Sequence, residues 1–189
     1  MEPEARGEPG MVSSRLVHDG RIVHLSVDTV SFPDGSVGEL EMIRHRGASA
    51  ILPVAGSLEE DDPHVLLLRQ YRYATGGYMY EVPAGVRGSP DEGWDECAHR
   101  ELEEETGFRA GRLIPLTRIY TTPGFTDEVI HLFMAVDLEP GEANLDHDEF
   151  LEVVRLRFSE VVRMVRDGEI VDGKSVCTVL LAALHLGRP

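Results

Sequence analysis

The first part of the chain alternates apolar and polar residues with a period of two, which is typical of half-buried β-strands. The alternation runs through residues 16–32 with a turn at Asp19-Gly20, and it resumes at 37–45 after a second turn at 33–35. This pattern predicts an antiparallel meander over residues 13–46, preceded by a disordered N-terminus over residues 1–12. Residues 47–189 are expected to form the main domain.

The main domain combines short, continuously apolar runs with longer segments of helical period. The apolar runs predict strands at 48–56, 64–72, 113–122, 129–138 and 151–158. Helices are predicted at 93–106, from Ser159 to near Gly168, and over 175–186, with Ser89 or Asp91 capping the first helix and Gly107 ending it. Because strands and helices follow no regular βαβ alternation, the predicted class is α/β (α+β) with a mixed β-sheet between helices.

Composition and charge limit the possible partners. The chain has 189 residues, of which 42% are hydrophobic, and this is enough for one domain with a full core. A formal net charge of −16 argues against a nucleic-acid partner, and an anionic ligand would need divalent cations to offset the repulsion. The two cysteines fit a reducing compartment, and no stretch resembles a signal peptide or a membrane span. We therefore predict a cytoplasmic protein without a membrane partner.

The predicted helix at 93–106 carries four glutamates within residues 101–105. At 100° per residue, Glu101, Glu104 and Glu105 share the side of the helix that also carries apolar residues, whereas Glu103 points the opposite way. The run is either a solvated helix face, a partner-binding surface or a cage for divalent cations. Buried carboxylates without compensation would cost several kcal/mol, and Mg²⁺ prefers oxygen ligands, so the cation cage explains the pattern best.

The wider spacing of this segment resembles a known signature. Ala84-Gly85 is followed by Glu92 and then, after seven residues, by Arg100-Glu101-Leu-x-Glu104-Glu105-x-Gly107-Phe. This closely resembles the box of Nudix hydrolases, enzymes that cleave a nucleoside diphosphate linked to another moiety with the help of Mg²⁺ or Mn²⁺. One departure is that six residues separate Gly85 from Glu92, where the family has five. The resemblance implies the Nudix fold and assigns residues 47–189 to a Nudix hydrolase domain.

The resemblance also implies roles for individual residues. Two to three metal ions would be held by the carboxylates of Glu101, Glu104 and Glu105 and by the carbonyl of Ala84, with Glu104 assisting catalysis. Arg100 would orient a glutamate in the catalytic centre. The residues with structural roles in the motif would be Gly85, Glu92 and Gly107. The alternatives are a surface salt bridge for Arg100 and a favourable helix-dipole contact for Glu92.

Further matches narrow the substrate. Pro123 lies fifteen residues after Phe108 within "TTPGFTDE", and this spacing, like "LLLRQYRY" and "YEVPAG", resembles the ADP-ribose pyrophosphatase branch. The resemblance implies substrate-binding roles for Arg72, Arg69, Pro123, Phe125, Glu128 and Glu81. In the acidic loop "DHDEFLE", Glu149 is the candidate that activates water or adds a metal ligand, with Glu128 as the second candidate. An ordinary turn, core aromatic residues and a solvated loop are the alternatives.

These features together predict an enzyme. The expected reaction is Mg²⁺-dependent hydrolysis of the pyrophosphate bond of ADP-ribose or a related nucleoside diphosphate sugar, giving AMP and a sugar phosphate. The resemblance further implies a homodimer in which the N-terminal meander contributes to the adenosine pocket. Two alternatives remain open: a Nudix-like nucleotide-binding regulatory module without hydrolysis, and a Nudix hydrolase of dinucleotides.

Overall fold

The computed structural model describes residues 8–144 and 150–188. These residues divide into two compact units, one formed by residues 8–45 and 122–128 and the other by residues 46–121, 129–144 and 150–188. Among the described residues, none of the helices has the length and apolar content that a membrane span requires.

The first unit is the antiparallel meander that the sequence predicts. It contains β1 (Gly10–Asp19), β2 (His24–Ser31) and β3 (Val37–Arg44), paired in that order. Because Gly10 already pairs with Ser31, the sheet begins inside the segment 1–12 that was predicted to be disordered. Residues 122–128 join this unit through main-chain contacts, since the amide of Ile43 donates to the carbonyl of Phe125 at 2.8 Å. The sequence patterns gave no indication of this association.

The second unit contains a mixed sheet. Its strands are β4 (Ala48–Ala55), β5 (His64–Arg72), β6 (Gly77–Glu81), β7 (Ala84–Val86), β8 (Phe108–Tyr120), β9 (Val129–Pro140) and β10 (Leu151–Arg157). The main order is β10-β5-β4-β9-β8, with β6 beside β5 and β7 beside β4. Strands β4 and β9 run parallel, while the other pairs are antiparallel.

Helices cover both faces of this sheet. The described part of the chain has three α-helices, α1 (Trp94–Thr106), α2 (Phe158–Arg166) and α3 (Gly173–His185), and a 3₁₀ turn at Tyr73–Thr75. Ile51 and Phe133 pack against Leu102 of α1, whereas Leu52 and Met134 belong to the cluster that includes residues of α2 and α3. Alternate residues of β4 and β9 thus face opposite layers, because successive side chains of a strand point to opposite sides. The predicted mixed sheet between helices is confirmed.

Helix α1 begins with a cap that differs from the prediction. Gly93 is the N-cap, and its amide donates to the carboxylate of Glu96 at 2.9 Å. Ser89 instead belongs to a preceding turn, where its carbonyl accepts from the amide of Glu92. The prediction of Ser89 or Asp91 as the cap was therefore wrong, because the helix begins after Gly93, which has no side chain to accept a capping hydrogen bond. At the other end Gly107 adopts a φ of 72°, so the predicted helix end is confirmed.

Candidate active site

Two glutamates of α1, Glu101 and Glu105, lie on the side that packs against the sheet. Glu101 and Glu105 are 8% and 4% exposed, as buried as many core residues, and Leu102 between them is fully buried. Glu103 faces away and accepts a hydrogen bond from Arg109 at 2.8 Å. The helical period therefore predicted correctly which glutamates lie on the packed side of α1. Two carboxylates are buried there, where an uncompensated charge would cost several kcal/mol.

Gly85 makes room for the carboxylate of Glu101. A β-carbon at position 85 would lie 2.1 Å from the carboxyl carbon of Glu101, far inside van der Waals contact. The strand β7 that carries Gly85 is held in place by antiparallel pairing with β4. The glycine therefore lets the buried carboxylate of Glu101 approach the main chain of β7.

Arg100 connects three carboxylates of the motif. Its Nε donates to Glu92 at 2.8 Å, and its Nη1 donates to Glu101 at 2.6 Å and to Glu104 at 3.0 Å. The hydrogen bond with Arg100 is the main reason why the pKa of Glu92 is lowered. Because a single nitrogen contacts both Glu101 and Glu104, these two side chains converge. The orienting role of Arg100 in catalysis remains a prediction.

Glu105 contacts the main chain of β7. Its Oε2 accepts a hydrogen bond from the amide of Ala84 at 2.8 Å. Glu105 also acts electrostatically on Arg72, where it contributes to a raised pKa of the guanidinium after the larger effect of the bond to Glu81. The structure thus brings Ala84, Glu101, Glu104 and Glu105 to one end of β7 and one side of α1. The metal-ligand role of the Ala84 carbonyl remains a prediction.

The donor set fits hard divalent cations. Within the described residues, no three side chains of the His, Cys, Asp or Glu type form a ready-made metal-ligand group. Glu101 and Glu104 nevertheless converge on Arg100, Glu105 contacts the main chain of β7, and both Glu101 and Glu105 are buried. Carboxylate oxygens are the ligands that Mg²⁺ and Mn²⁺ prefer. These residues therefore fit the implied metal, and their buried negative charge would be offset by it.

The loop with the additional residue is fixed by several contacts. The guanidinium of Arg87 lies 4.3 Å from the ring centre of Trp94, which stacks on His131 at 4.1 Å. Glu92 accepts a hydrogen bond from the amide of Gly88 at 2.6 Å. Burial, followed by the charge of Arg118, lowers the pKa of His131, which favours a neutral imidazole in this stack. Thus Glu92 still reaches Arg100 although the loop is one residue longer than the family pattern.

Arg72 is held by a buried carboxylate. Glu81 is 2% exposed, and it accepts from Arg72 Nε at 2.7 Å and from Arg72 Nη2 at 2.9 Å. The same carboxylate is paired with Lys174 of α3. Burial alone would raise the pKa of Glu81, but the bonds and charges of Arg72 and Lys174 outweigh it and lower the pKa. Lys174 was missed in the sequence analysis.

The other residues that were predicted to bind substrate each contact a different part of the protein. Arg69 lies over the ring of Tyr78 at 4.2 Å and is 3.9 Å from Glu152. Within the first unit, Phe125 is half exposed and Glu128 lies 3.5 Å from His45. Pro123 belongs to the same segment, whose Asp127 accepts from the amide of His45 at 2.7 Å. Their contacts with substrate remain predictions, and Glu149 lies outside the described residues.

Comparison with known proteins decides the family. A model of the NUDIX domain matches residues 44–177, which includes the whole motif from Ala84 to Gly107. The chain belongs to the Nudix family. The predicted family is thereby confirmed.

Relatives and a solved structure match nearly the whole Nudix chain. It is 33% identical over 174 residues to the ADP-ribose pyrophosphatase of Bacillus subtilis (strain 168), covering 91% of each chain. It is 34% identical over 176 residues to the methanol dehydrogenase activator of Bacillus methanolicus, again covering 91% of each. A crystal structure described as an ADP compounds hydrolase is similar with a TM-score of 0.79 and 25% identity, over 98% of this chain and 100% of that one. The Nudix fold is therefore confirmed.

Proposed function

We propose that this Nudix protein hydrolyses the pyrophosphate bond of ADP-ribose or a related nucleoside diphosphate sugar. The products from ADP-ribose would be AMP and ribose 5-phosphate. The observation that carries this proposal is the pair of buried carboxylates, Glu101 and Glu105, directed at Ala84 and Gly85 of β7. The similarity to an ADP-ribose pyrophosphatase over 91% of the chain supports this choice of substrate.

The residues of α1 would hold the divalent cations, Mg²⁺ or Mn²⁺, with two to three ions as the expected number. When bound, such ions neutralise charge on a diphosphate and lower the pKa of a water molecule to make it a nucleophile. Glu101, Glu104 and Glu105 would supply carboxylate oxygens, and Ala84 its carbonyl. Arg100 keeps Glu101 and Glu104 oriented, and Glu92 in turn fixes Arg100.

Arg72 would bind the phosphate groups of the substrate directly, in addition to the metal ions. Two of its nitrogens are engaged by Glu81, which fixes the plane of the guanidinium. A planar guanidinium in a fixed position suits phosphate oxygens better than a flexible ammonium group does. In a chain with a net charge of −16, such a cation is needed to keep an anionic substrate bound. Glu149 remains the predicted residue for activation of water.

A substrate panel tests the proposal. Purified protein is incubated with ADP-ribose, GDP-mannose and diadenosine diphosphate, with Mg²⁺ or with excess EDTA, and nucleoside monophosphate is measured by chromatography. We expect Mg²⁺-dependent release of AMP and ribose 5-phosphate, with ADP-ribose giving the highest kcat/KM. A preference for diadenosine diphosphate would favour the dinucleotide alternative.

A regulatory role is the second candidate. One relative is named a methanol dehydrogenase activator, and the similarity extends over 91% of this chain. Binding of ADP-ribose without turnover of any compound of the panel would contradict the enzyme proposal and favour a nucleotide-binding module.

The Gly85→Ala variant should separate the site from the fold. Its methyl group would displace the carboxylate of Glu101, which is the end of a flexible side chain, so the fold should be kept. Because misplacing a catalytic group by about 1 Å costs on the order of 100-fold, we expect kcat/KM for ADP-ribose to fall by roughly that factor. Gly88→Ala is the matched control, since its β-carbon would meet only Glu92 Oε2 at 3.6 Å. Equal activity of both variants would contradict the role given to Glu101.

The first unit supports the proposal of a homodimer. Its strands and the turn between β1 and β2 expose many apolar side chains: Met11, Val12, Leu16, Val17, Ile22, Val23, Val37 and Leu40. An apolar surface of this kind is typical of an association site, and closed two-fold dimers are the commonest assembly. Light scattering should give twice the chain mass, and a Val12→Asp, Leu16→Asp variant should give the mass of one chain. Glu39→Asp serves as the control, and a parent protein with the mass of one chain would refute the dimer.

A further inference from the structure

We propose that Lys174 is a positioning residue that fixes Arg72 for binding of the substrate's phosphates. It would act through Glu81, the carboxylate that both cations share. The inference rests on the proposed function for what Arg72 binds, but the placement of Arg72 by Lys174 can be tested without turnover.

Lys174 lies in a buried ionic network. Its Nζ is bonded to Glu81 and also donates to Asp172 at 2.9 Å, and only 13% of its side chain is exposed. Asp172 is the N-cap of α3 and accepts from the amide of Ser175 at 3.0 Å. The ammonium group is therefore held at the start of a helix and not on a mobile surface side chain.

Ser175 ties the same network to the main chain next to Glu81. Its hydroxyl donates to Asp172 at 2.5 Å, while its oxygen accepts from the amide of Val82 at 2.8 Å. Ser175 is itself fully buried. The start of α3 and the end of β6 are thus fixed to each other, so a change at Lys174 acts on Glu81 without a large rearrangement of the fold.

The charges show what removal of Lys174 would change. Glu81 and Asp172 are two carboxylates that share one ammonium group, and both act electrostatically on Arg72. Without Lys174, the guanidinium of Arg72, on which both acids act, would be left to balance them. The guanidinium of Arg72 would then leave its two-nitrogen contact with Glu81. Its plane would no longer be fixed for binding of the phosphate.

A single lysine among eighteen basic residues is itself informative. The other seventeen are arginines, and the only lysine of the chain stands at position 174. A compact ammonium group can bridge two carboxylates in a space where a planar guanidinium is sterically more demanding. This composition also gives the experiment a unique probe.

Kinetics provide the first test. Lys174→Met should raise KM for ADP-ribose by roughly tenfold, the scale of coupling within one ion-pair network, with a smaller change in kcat. In an Arg72→Ala background the same substitution should have little further effect on KM, because Lys174 acts through Arg72. Lys174→Arg should recover only part of the parent affinity, because a planar guanidinium is sterically more demanding than the ammonium group in this space. Arg166→Met is the matched control, since Arg166 pairs with Asp167 on an exposed surface.

Nuclear magnetic resonance provides a test that is independent of activity. Selective ¹⁵N-lysine labelling gives one side-chain signal, and ¹⁵N-arginine labelling shows the Nε–H of Arg72, assigned by its loss in Arg72→Lys. We expect a slowly exchanging Arg72 Nε–H in the parent and fast exchange in Lys174→Met. If Lys174→Met does not fold, Lys174→Gln, which keeps a donor but removes the charge, takes its place.

The two readouts distinguish the possible failures. A parent protein that cleaves no compound of the panel refutes the proposed function, while the Arg72 Nε–H signal still tests the positioning role. An unchanged Arg72 signal together with an unchanged KM in Lys174→Met overturns the inference. A KM effect that is equally large in the Arg72→Ala background also overturns it, because Lys174 would then act independently of Arg72.

Discussion

Replacement of Glu105 by Gln is expected to lower kcat/KM for ADP-ribose by about 10²- to 10³-fold while the fold is retained. This is the scale observed when one preorganised group that stabilises transition-state charge is removed. Glu105 is 4% exposed and shares its helix side with Glu101, so its negative charge can serve a bound cation. A glutamine keeps the oxygen that accepts from the amide of Ala84 but lacks that charge.

The matched control for this prediction lies on the same helix. Glu103→Gln removes an equal charge from the opposite side, where Glu103 pairs with Arg109. Its kcat/KM should remain within about twofold of the parent, since an exposed ion pair on the other side of the helix contributes little. Both variants are compared by initial rates over a Mg²⁺ titration and by thermal unfolding. If Glu105→Gln matches the parent at saturating Mg²⁺, Glu105 is not a metal ligand.

The sidedness of α1 could be predicted from the sequence because it depends only on the helical period. The positions of Glu101, Leu102 and Glu105 on the packed side and of Glu103 on the other follow from 100° per residue. A carboxylate partner for Arg100 could likewise be predicted. Its simultaneous contact with Glu92, Glu101 and Glu104 could not, because it depends on the path of the loop before α1. Local periodicity therefore accounts for most of the acidic site.

Contacts between distant segments could not be predicted in the same way. Glu81 and Lys174 are 93 residues apart, and no local pattern links the end of a strand with the first turn of the last helix. Residues 122–128 join the meander through main-chain hydrogen bonds, which leave no signature in the side chains. The N-cap of α1 was missed for a local reason, because Gly93 has no side chain that could accept a capping hydrogen bond. The isolated lysine was the one signal that could have indicated the network around Glu81.

Arg72 is the position where this network should have its largest effect on catalysis. Arg72→Ala removes the proposed phosphate-binding cation, and Arg72→Lys keeps the charge but loses the two-nitrogen contact with Glu81. We expect kcat/KM for ADP-ribose to fall by roughly 100-fold in Arg72→Ala, the scale on which a preorganised charged donor stabilises a transition state. Arg72→Lys should recover only part of this loss, because an ammonium group cannot reproduce the planar fork.

The control variants and a pH series complete this test. Arg69→Ala should have a smaller effect than Arg72→Ala, since Arg69 is engaged with the ring of Tyr78, and Arg155→Ala on the exposed surface should have none.

The pKa of Glu81 lies below its usual value of 4.5, so the stabilisation from Arg72 is present above that pH and is lost as the pH falls through the lowered pKa. The difference in free energy of unfolding between the parent and Arg72→Ala should therefore shrink below pH 4.5. Equal kinetic losses in Arg69→Ala and Arg72→Ala would contradict a special role for Arg72, and a pH-independent stability difference would contradict its pairing with ionised Glu81.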